Sequence, residues 1–89
     1  MIIILKGSKI NTIEEFHKEI SEILEFPNYY GNNLDALWDC LIGWVEPPLT
    51  IIWKDFELSK ERLGTFAIKV KLIFEDAAKE IDDFKIEFQ

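Results

Sequence analysis

The sequence predicts an α/β fold: a single small domain over residues 1–89, in which a three-stranded parallel β-sheet packs with about four α-helices. Short apolar runs alternate with segments of helical periodicity, which is the pattern of strands joined by helical crossovers. The chain has the length of one domain, and 48% of its residues are hydrophobic, enough for a core. No apolar run approaches the ~20 residues of a membrane-spanning helix, so we expect no membrane partner.

Three segments have the character of strands. Residues 2–5 and 49–53 are continuous apolar runs, typical of strands that are covered on both faces. We expect the first of them at the centre of the sheet. Residues 84–88 alternate apolar and polar side chains, which favours an edge strand with one side toward solvent.

Four segments have the character of helices. Thr12 and Glu15 fit a capping box at the start of the first helix. Asn33 is the expected N-cap of the second. His17 falls off the apolar stripe of the first helix and is expected to be exposed. The four predicted helices cover about residues 13–24, 34–42, 55–63 and 66–81.

The charge of the chain is strongly acidic, with 17 acidic residues against 10 basic ones and a net charge of −7. Binding to a nucleic-acid backbone needs the opposite sign, so we expect no nucleic-acid partner. From Glu19 to Trp53 there is no lysine or arginine. An acidic field over that region would speed encounter with a cationic partner, although solubility alone also accounts for the net charge.

Cysteine use and motifs limit the chemistry that the chain can perform. Cys40 is the single cysteine, which excludes an internal disulfide and favours a reducing, cytoplasmic compartment. Neither a metal-binding HExxH nor a P-loop nor a GxGxxG motif is present. We therefore expect no cofactor, no bound metal and no enzymatic activity.

The second helix has an unusual outer face. Leu37 and Leu41 belong to its core stripe, whereas Asp35 and Asp39 lie on the other side together with Trp38 and Ile42. Two like charges at positions i and i+4 destabilise a helix by about 0.2–0.5 kcal/mol. Unrelieved repulsion beside exposed apolar groups favours a protein-binding face. A solvated helix face, or a carboxylate pair for hydrolysis, are the alternatives.

The run YYGNNLDALWDCLIGWVEPPL, within residues 29–49, resembles the barstar family of intracellular inhibitors of barnase-type ribonucleases. The resemblance is dense from Pro27 to Trp53 and thinner over the first and last helices. It implies inhibition by mimicry, with Asp39 in the place of an RNA phosphate and Asp35 in support. The expected partner-binding residues are Tyr29, Gly31, Asn33, Asp35, Trp38, Asp39, Ile42, Gly43, Trp44, Asp76 and Glu80.

The partner that the resemblance implies is a secreted basic ribonuclease of the barnase type. The protein would bind it one-to-one and would be a monomer when free. The alternative is a binding module of the same fold for another cationic protein or toxin nuclease.

Overall fold

The computed structural model describes residues 1–89 and contains three strands and four α-helices. One short 3-10 turn, Gly7–Lys9, follows the first strand. The expected α/β class with a three-stranded parallel sheet is confirmed. None of the helices is both long enough and apolar enough to cross a bilayer. In chain order the elements are β1 (Ile2–Lys6), α1 (Ile13–Ile23), α2 (Leu34–Gly43), β2 (Leu49–Lys54), α3 (Phe56–Leu63), α4 (Thr65–Glu80) and β3 (Phe84–Phe88).

The strand order of the sheet is β1-β2-β3, and both pairings are parallel. β2 therefore lies at the centre, so the expectation of a central first strand is wrong, whereas β3 is an edge strand as expected. Two crossover connections join the strands: α1 and α2 lie between β1 and β2, and α3 and α4 lie between β2 and β3. Each crossover places the next strand beside the previous one, in the same direction across the sheet. Because such crossovers are right-handed, they place all the helices on one side of the sheet.

The two faces of the sheet differ accordingly. In one row across the strands, Ile3 pairs with Ile51, and Ile51 pairs with Ile86. Ile3 and Ile51 are buried under the helices, whereas Ile2 and Ile4, which point the other way, are 68% and 41% exposed. The expectation that β1 and β2 are covered on both faces is therefore wrong. The apolar runs of both strands include residues on the side of the sheet that the helices leave open.

A single cluster of 19 buried residues forms the core between the sheet and the helices. Trp53 is fully buried in it, where Phe16 stacks at a ring-centroid distance of 5.7 Å and Phe56 packs edge-on at 4.9 Å. The indole Nε1–H of Trp53 donates a 3.0 Å hydrogen bond to Oγ of Ser59. The one buried indole N–H of the core is thus satisfied by a buried hydroxyl.

His17 is buried, with 2% of its surface exposed, so the expectation of an exposed histidine is wrong. Its Nδ1 lies 2.6 Å from the hydroxyl of Tyr30, which belongs to the loop before α2. The ring also packs edge-on against Phe66 of α4. Burial lowers the pKa of His17, which favours the neutral imidazole. Helical periodicity missed this burial because a loop covers the side of α1 that its apolar stripe leaves open.

Candidate functional site

The first turn of α2 is fixed by Asn33. Its Oδ1 accepts a 2.8 Å hydrogen bond from the backbone N–H of Ala36, and its backbone is extended, so the expected N-cap is confirmed. Its Nδ2 donates to the carbonyl oxygen of Gly31 at 3.3 Å. The side chain of Asn33 therefore caps the helix and also holds the preceding loop against its first turn.

The helix that follows has the two faces that its sequence predicts. Leu37, Cys40 and Leu41 are buried, whereas Asp35 and Asp39 are exposed. Burial raises the pKa of the Cys40 thiol, and the charge of Asp39 raises it further. The thiol therefore stays protonated at neutral pH, which is the opposite of what a nucleophilic cysteine needs.

A cleft of about 490 Å³ lies between α2 and α4. Its apolar lining comes from Leu34, Trp38 and Ile73, and its acidic lining comes from three aspartates, two on α2 and one on α4. The cleft thus brings together four of the residues expected to bind a partner. They are Asp35, Trp38, Asp39 and Asp76.

The three carboxylates of this cleft have no cationic partner within the protein. The single ion pair of the structure joins Lys60 to Glu57 on α3. No group of three or more His, Cys, Asp or Glu side chains is placed to hold a metal ion. The cleft therefore offers negative charge beside an indole and two aliphatic side chains, which is a setting suited to the cationic side chains of another molecule.

The remaining expected residues lie outside the cleft. Tyr29, Ile42 and Trp44 are 81%, 47% and 46% exposed. The Trp44 Nε1–H donates a 2.9 Å hydrogen bond to the carbonyl oxygen of Glu25, which holds the indole against the end of α1. Trp44 lines a different cleft, next to Met1 and Val45. The other expected residues are exposed and line neither cleft: Gly31, Asn33, Gly43 and Glu80.

Sequence reasoning missed two residues of the α2–α4 cleft, Leu34 and Ile73. Both belong to apolar stripes that predict core positions, yet both are only half-buried and line the cleft. Periodicity identifies the apolar side of each helix but not the point where a cleft opens between two helices. The sequence holds no signal for that point.

The fold and the cleft together define a class: small acidic α/β domains with one helical layer over a parallel sheet. The model of the family described as "Barstar (barnase inhibitor)" matches residues 1–89. This chain belongs to the barstar family. It is also 48% identical, over 85 residues, to a protein of Bacillus subtilis (strain 168) named "Putative ribonuclease inhibitor YrdF", with 94% of this chain and 93% of that relative covered.

Proposed function

We propose that this protein inhibits a secreted basic ribonuclease by binding one-to-one and blocking its active-site cleft with the acidic residues of α2. Membership of the barstar family and similarity to the protein named "Putative ribonuclease inhibitor YrdF" support the inhibitory role. The observation that carries the mechanism is the α2–α4 cleft, where Asp35, Asp39 and Asp76 line one surface without a compensating cation.

Carboxylates suit this task for a chemical reason. A ribonuclease holds the phosphate of RNA with arginine, lysine or histidine side chains, and it needs them for its own reaction. Carboxylates accept strong charge-assisted hydrogen bonds from the same groups. In this proposal Asp39 takes the place of the phosphate, and Asp35, one turn earlier on the same helix, supports it.

The apolar lining of the cleft adds a second requirement on the partner. Leu34 and Ile73 offer contact to an aliphatic stem, and the half-buried indole of Trp38 offers a face to a planar cation. Arginine satisfies both, because its guanidinium stacks on aromatic rings and binds carboxylates through two parallel hydrogen bonds. We therefore expect an arginine of the ribonuclease in this cleft.

The residues around the cleft complete the proposed contact. Exposed aromatic and aliphatic side chains on the loop and at the end of α2 supply a rim, and Glu80 extends the acidic surface along α4. A stable complex buries about 800 Å² on each partner, which is more than one cleft provides. The proposed rim consists of Tyr29, Gly31, Asn33, Ile42, Gly43 and Trp44.

The proposal assigns no reaction to this protein. The buried imidazole of His17 is bonded to Tyr30, and the Cys40 thiol has a raised pKa, so neither forms an activated nucleophile. The protein would act as a monomer in the cytoplasm, where it protects the cell from a nuclease meant for export.

The test is an RNA-cleavage assay with a purified basic ribonuclease of the barnase type. The unmodified protein should abolish cleavage at one equivalent, and Asp39→Asn should not. Glu61→Gln is the matched control, because it removes the same charge from an exposed position on α3 and should inhibit fully. Equal inhibition by Asp39→Asn and the unmodified protein would exclude phosphate mimicry by Asp39.

A second candidate partner is a cationic toxin nuclease of another family. The exposed Ile42 favours this alternative. An aliphatic side chain beside Asp39 would pack best on a partner whose cationic residues are surrounded by apolar ones. An unaffected barnase-type ribonuclease, combined with Asp39-dependent inhibition of a different nuclease, would establish this alternative.

A further inference from the structure

The side of the sheet opposite the helices has no covering layer. All four helices lie on the other side, since both crossovers run in the same direction. Parallel sheets are almost always covered on both faces, so a bare face is exceptional. We call this surface the open sheet face. Its outward side chains are Ile2, Ile4 and Lys6 of β1, Thr50, Ile52 and Lys54 of β2, and Lys85 and Glu87 of β3.

The part of the open sheet face formed by β1 and the middle of β2 is apolar. Ile2 and Ile4 are 68% and 41% exposed, and the half-buried Ile52 is the register partner of Ile4. Thr50 is the partner of Ile2, and Met1, 63% exposed, extends the patch at the start of β1. Neighbouring strands lie about 4.8 Å apart, so these side chains form one continuous patch.

The same face is positively charged at the carboxyl ends of β1 and β2 and along β3. Lys6 and Lys54 are direct register partners, and Lys85 is the partner of Thr50. Glu87 is the only acidic side chain there, and none of these four charges takes part in an ion pair. Like charges directly opposite each other destabilise a sheet. In a chain of net charge −7, this face carries three lysines against one acid.

We propose that the open sheet face docks an amphipathic α-helix of a partner protein, with an apolar stripe flanked by acidic residues. The stripe packs on Ile2, Ile4 and Ile52, and the acidic flanks lie against the lysines. A helix is the layer with which α/β folds cover a parallel sheet. Charge complementarity identifies its flanks as acidic.

The charges also select against two other occupants. A second copy placed face to face would bring two lysine-rich surfaces together. An anionic membrane would attract these lysines but repel a protein that carries a net charge of −7. The dimensions suit a helix, because strands of 5 or 6 residues span about 17–20 Å, the length of roughly 12 helical residues.

The open sheet face and the α2–α4 cleft lie on opposite sides of the sheet. A helix docked on the first leaves the second accessible, so the protein can hold a nuclease and a second partner together. The docking proposal does not depend on what binds in the cleft.

The test uses a synthetic helical peptide of about 18 residues, ~27 Å long, with a leucine stripe and glutamate flanks. Its binding to the isotope-labelled full chain is followed by NMR. We expect saturable shifts at Ile4, Thr50 and Ile52 and none on α2. A peptide with lysine flanks and the same leucine stripe should bind at least roughly tenfold more weakly, because its charges are reversed.

Two variants locate the binding on the protein. Ile4→Thr combined with Ile52→Thr keeps the β-branched side chains that strands prefer and should weaken binding roughly tenfold through lost apolar contact. Lys6→Glu combined with Lys54→Glu leaves the apolar patch intact and should weaken it similarly. Leu72→Gln, at an exposed leucine on α4, is the matched control and should bind like the unmodified chain. Circular dichroism checks that each variant is folded.

Four results would overturn the proposal. The first is no saturable binding of the glutamate peptide, and the second is equal binding of the lysine peptide. The third is self-association of the chain that the isoleucine variant abolishes, which would make a second copy the occupant. The fourth is binding to phosphatidylserine vesicles that is lost in the same variant, which would make a membrane the occupant.

Discussion

Asp39→Asn is expected to make the free protein slightly more stable while it abolishes inhibition of the ribonuclease. Asp35 and Asp39 lie one turn apart on the exposed side of α2, and no cation of the protein pairs with either. Their repulsion destabilises the helix by about 0.2–0.5 kcal/mol. Asp39 lies in the middle of α2, outside the first turn, so the helix macrodipole does not stabilise its charge.

The expected gain in stability follows from this repulsion. Aspartate and asparagine have similar helix propensities, so the substitution leaves little else to change. We expect the free energy of unfolding to rise by about 0.2–0.5 kcal/mol and the melting temperature to rise by about 1–4 °C for a domain of this size. Urea unfolding measures the first quantity and a thermal scan the second.

A double-mutant cycle with Asp35→Asn isolates the repulsion. Once either charge is removed the repulsion is gone, so the double variant should gain less than the sum of the two single gains. The gain should also shrink in ~1 M salt, where charges are screened beyond ~3 Å. A loss of stability greater than ~0.5 kcal/mol in Asp39→Asn would show that the charge supports the fold, and the proposed role of Asp39 would then be wrong.

Other expected outcomes follow from contacts elsewhere in the molecule. Tyr30→Phe should lower the free energy of unfolding by about 1–3 kcal/mol in urea denaturation, because it leaves the buried imidazole of His17 without its partner. Burial lowers the pKa of His17 from its ordinary 6.5. As the pH falls, the imidazole is therefore protonated in the unfolded chain before it is protonated in the folded one. Stability should therefore fall as the pH drops below about 6.5, and His17→Gln should reduce that slope in urea unfolding at pH ~7.5 and ~5.5. Ser59→Ala should lower the free energy of unfolding by about 1–3 kcal/mol, because the buried indole N–H of Trp53 loses its acceptor. Association with the ribonuclease, followed by stopped-flow fluorescence, should slow steeply as salt rises, since the Debye length is already ~8 Å at 0.15 M.

Each of these expectations has a contradicting result. A Tyr30→Phe variant as stable as the parent would mean that water replaces the lost hydroxyl. If His17→Gln leaves the pH dependence of the unfolding free energy unchanged, that dependence arises from the carboxylates and not from His17. If Ser59→Ala has no effect, the indole N–H of Trp53 has found another acceptor. A salt-insensitive association rate would exclude electrostatic steering.

Local sequence patterns predicted the N-cap and the two faces of α2, the helix that carries much of the candidate site. Asn33 caps the helix, Leu37 and Leu41 face the core, and the aspartates face solvent. These features depend on a few neighbouring residues, so short-range periodicity and capping rules are enough to find them.

The features that the sequence did not predict depend on contacts between distant segments. β2 is central because each crossover adds the next strand on the same side of the previous one. The sequence of a single strand does not show its position in the sheet. His17 is buried by a loop, and Ile73 lines a cleft that residues of α2 and α4 form together. The apolar run of β1 suggested cover on both faces, yet continuous hydrophobicity does not reveal whether a second layer exists.

The two hydrogen bonds of Asn33 affect how the protein meets a partner. They hold the loop and the first turn of α2 in one arrangement before any encounter. Little chain entropy would then be lost on association, because the proposed contact residues on this loop and turn are ordered in advance. The heat capacity change of binding should accordingly match the apolar area covered, without the additional contribution that arises when a segment folds as it binds.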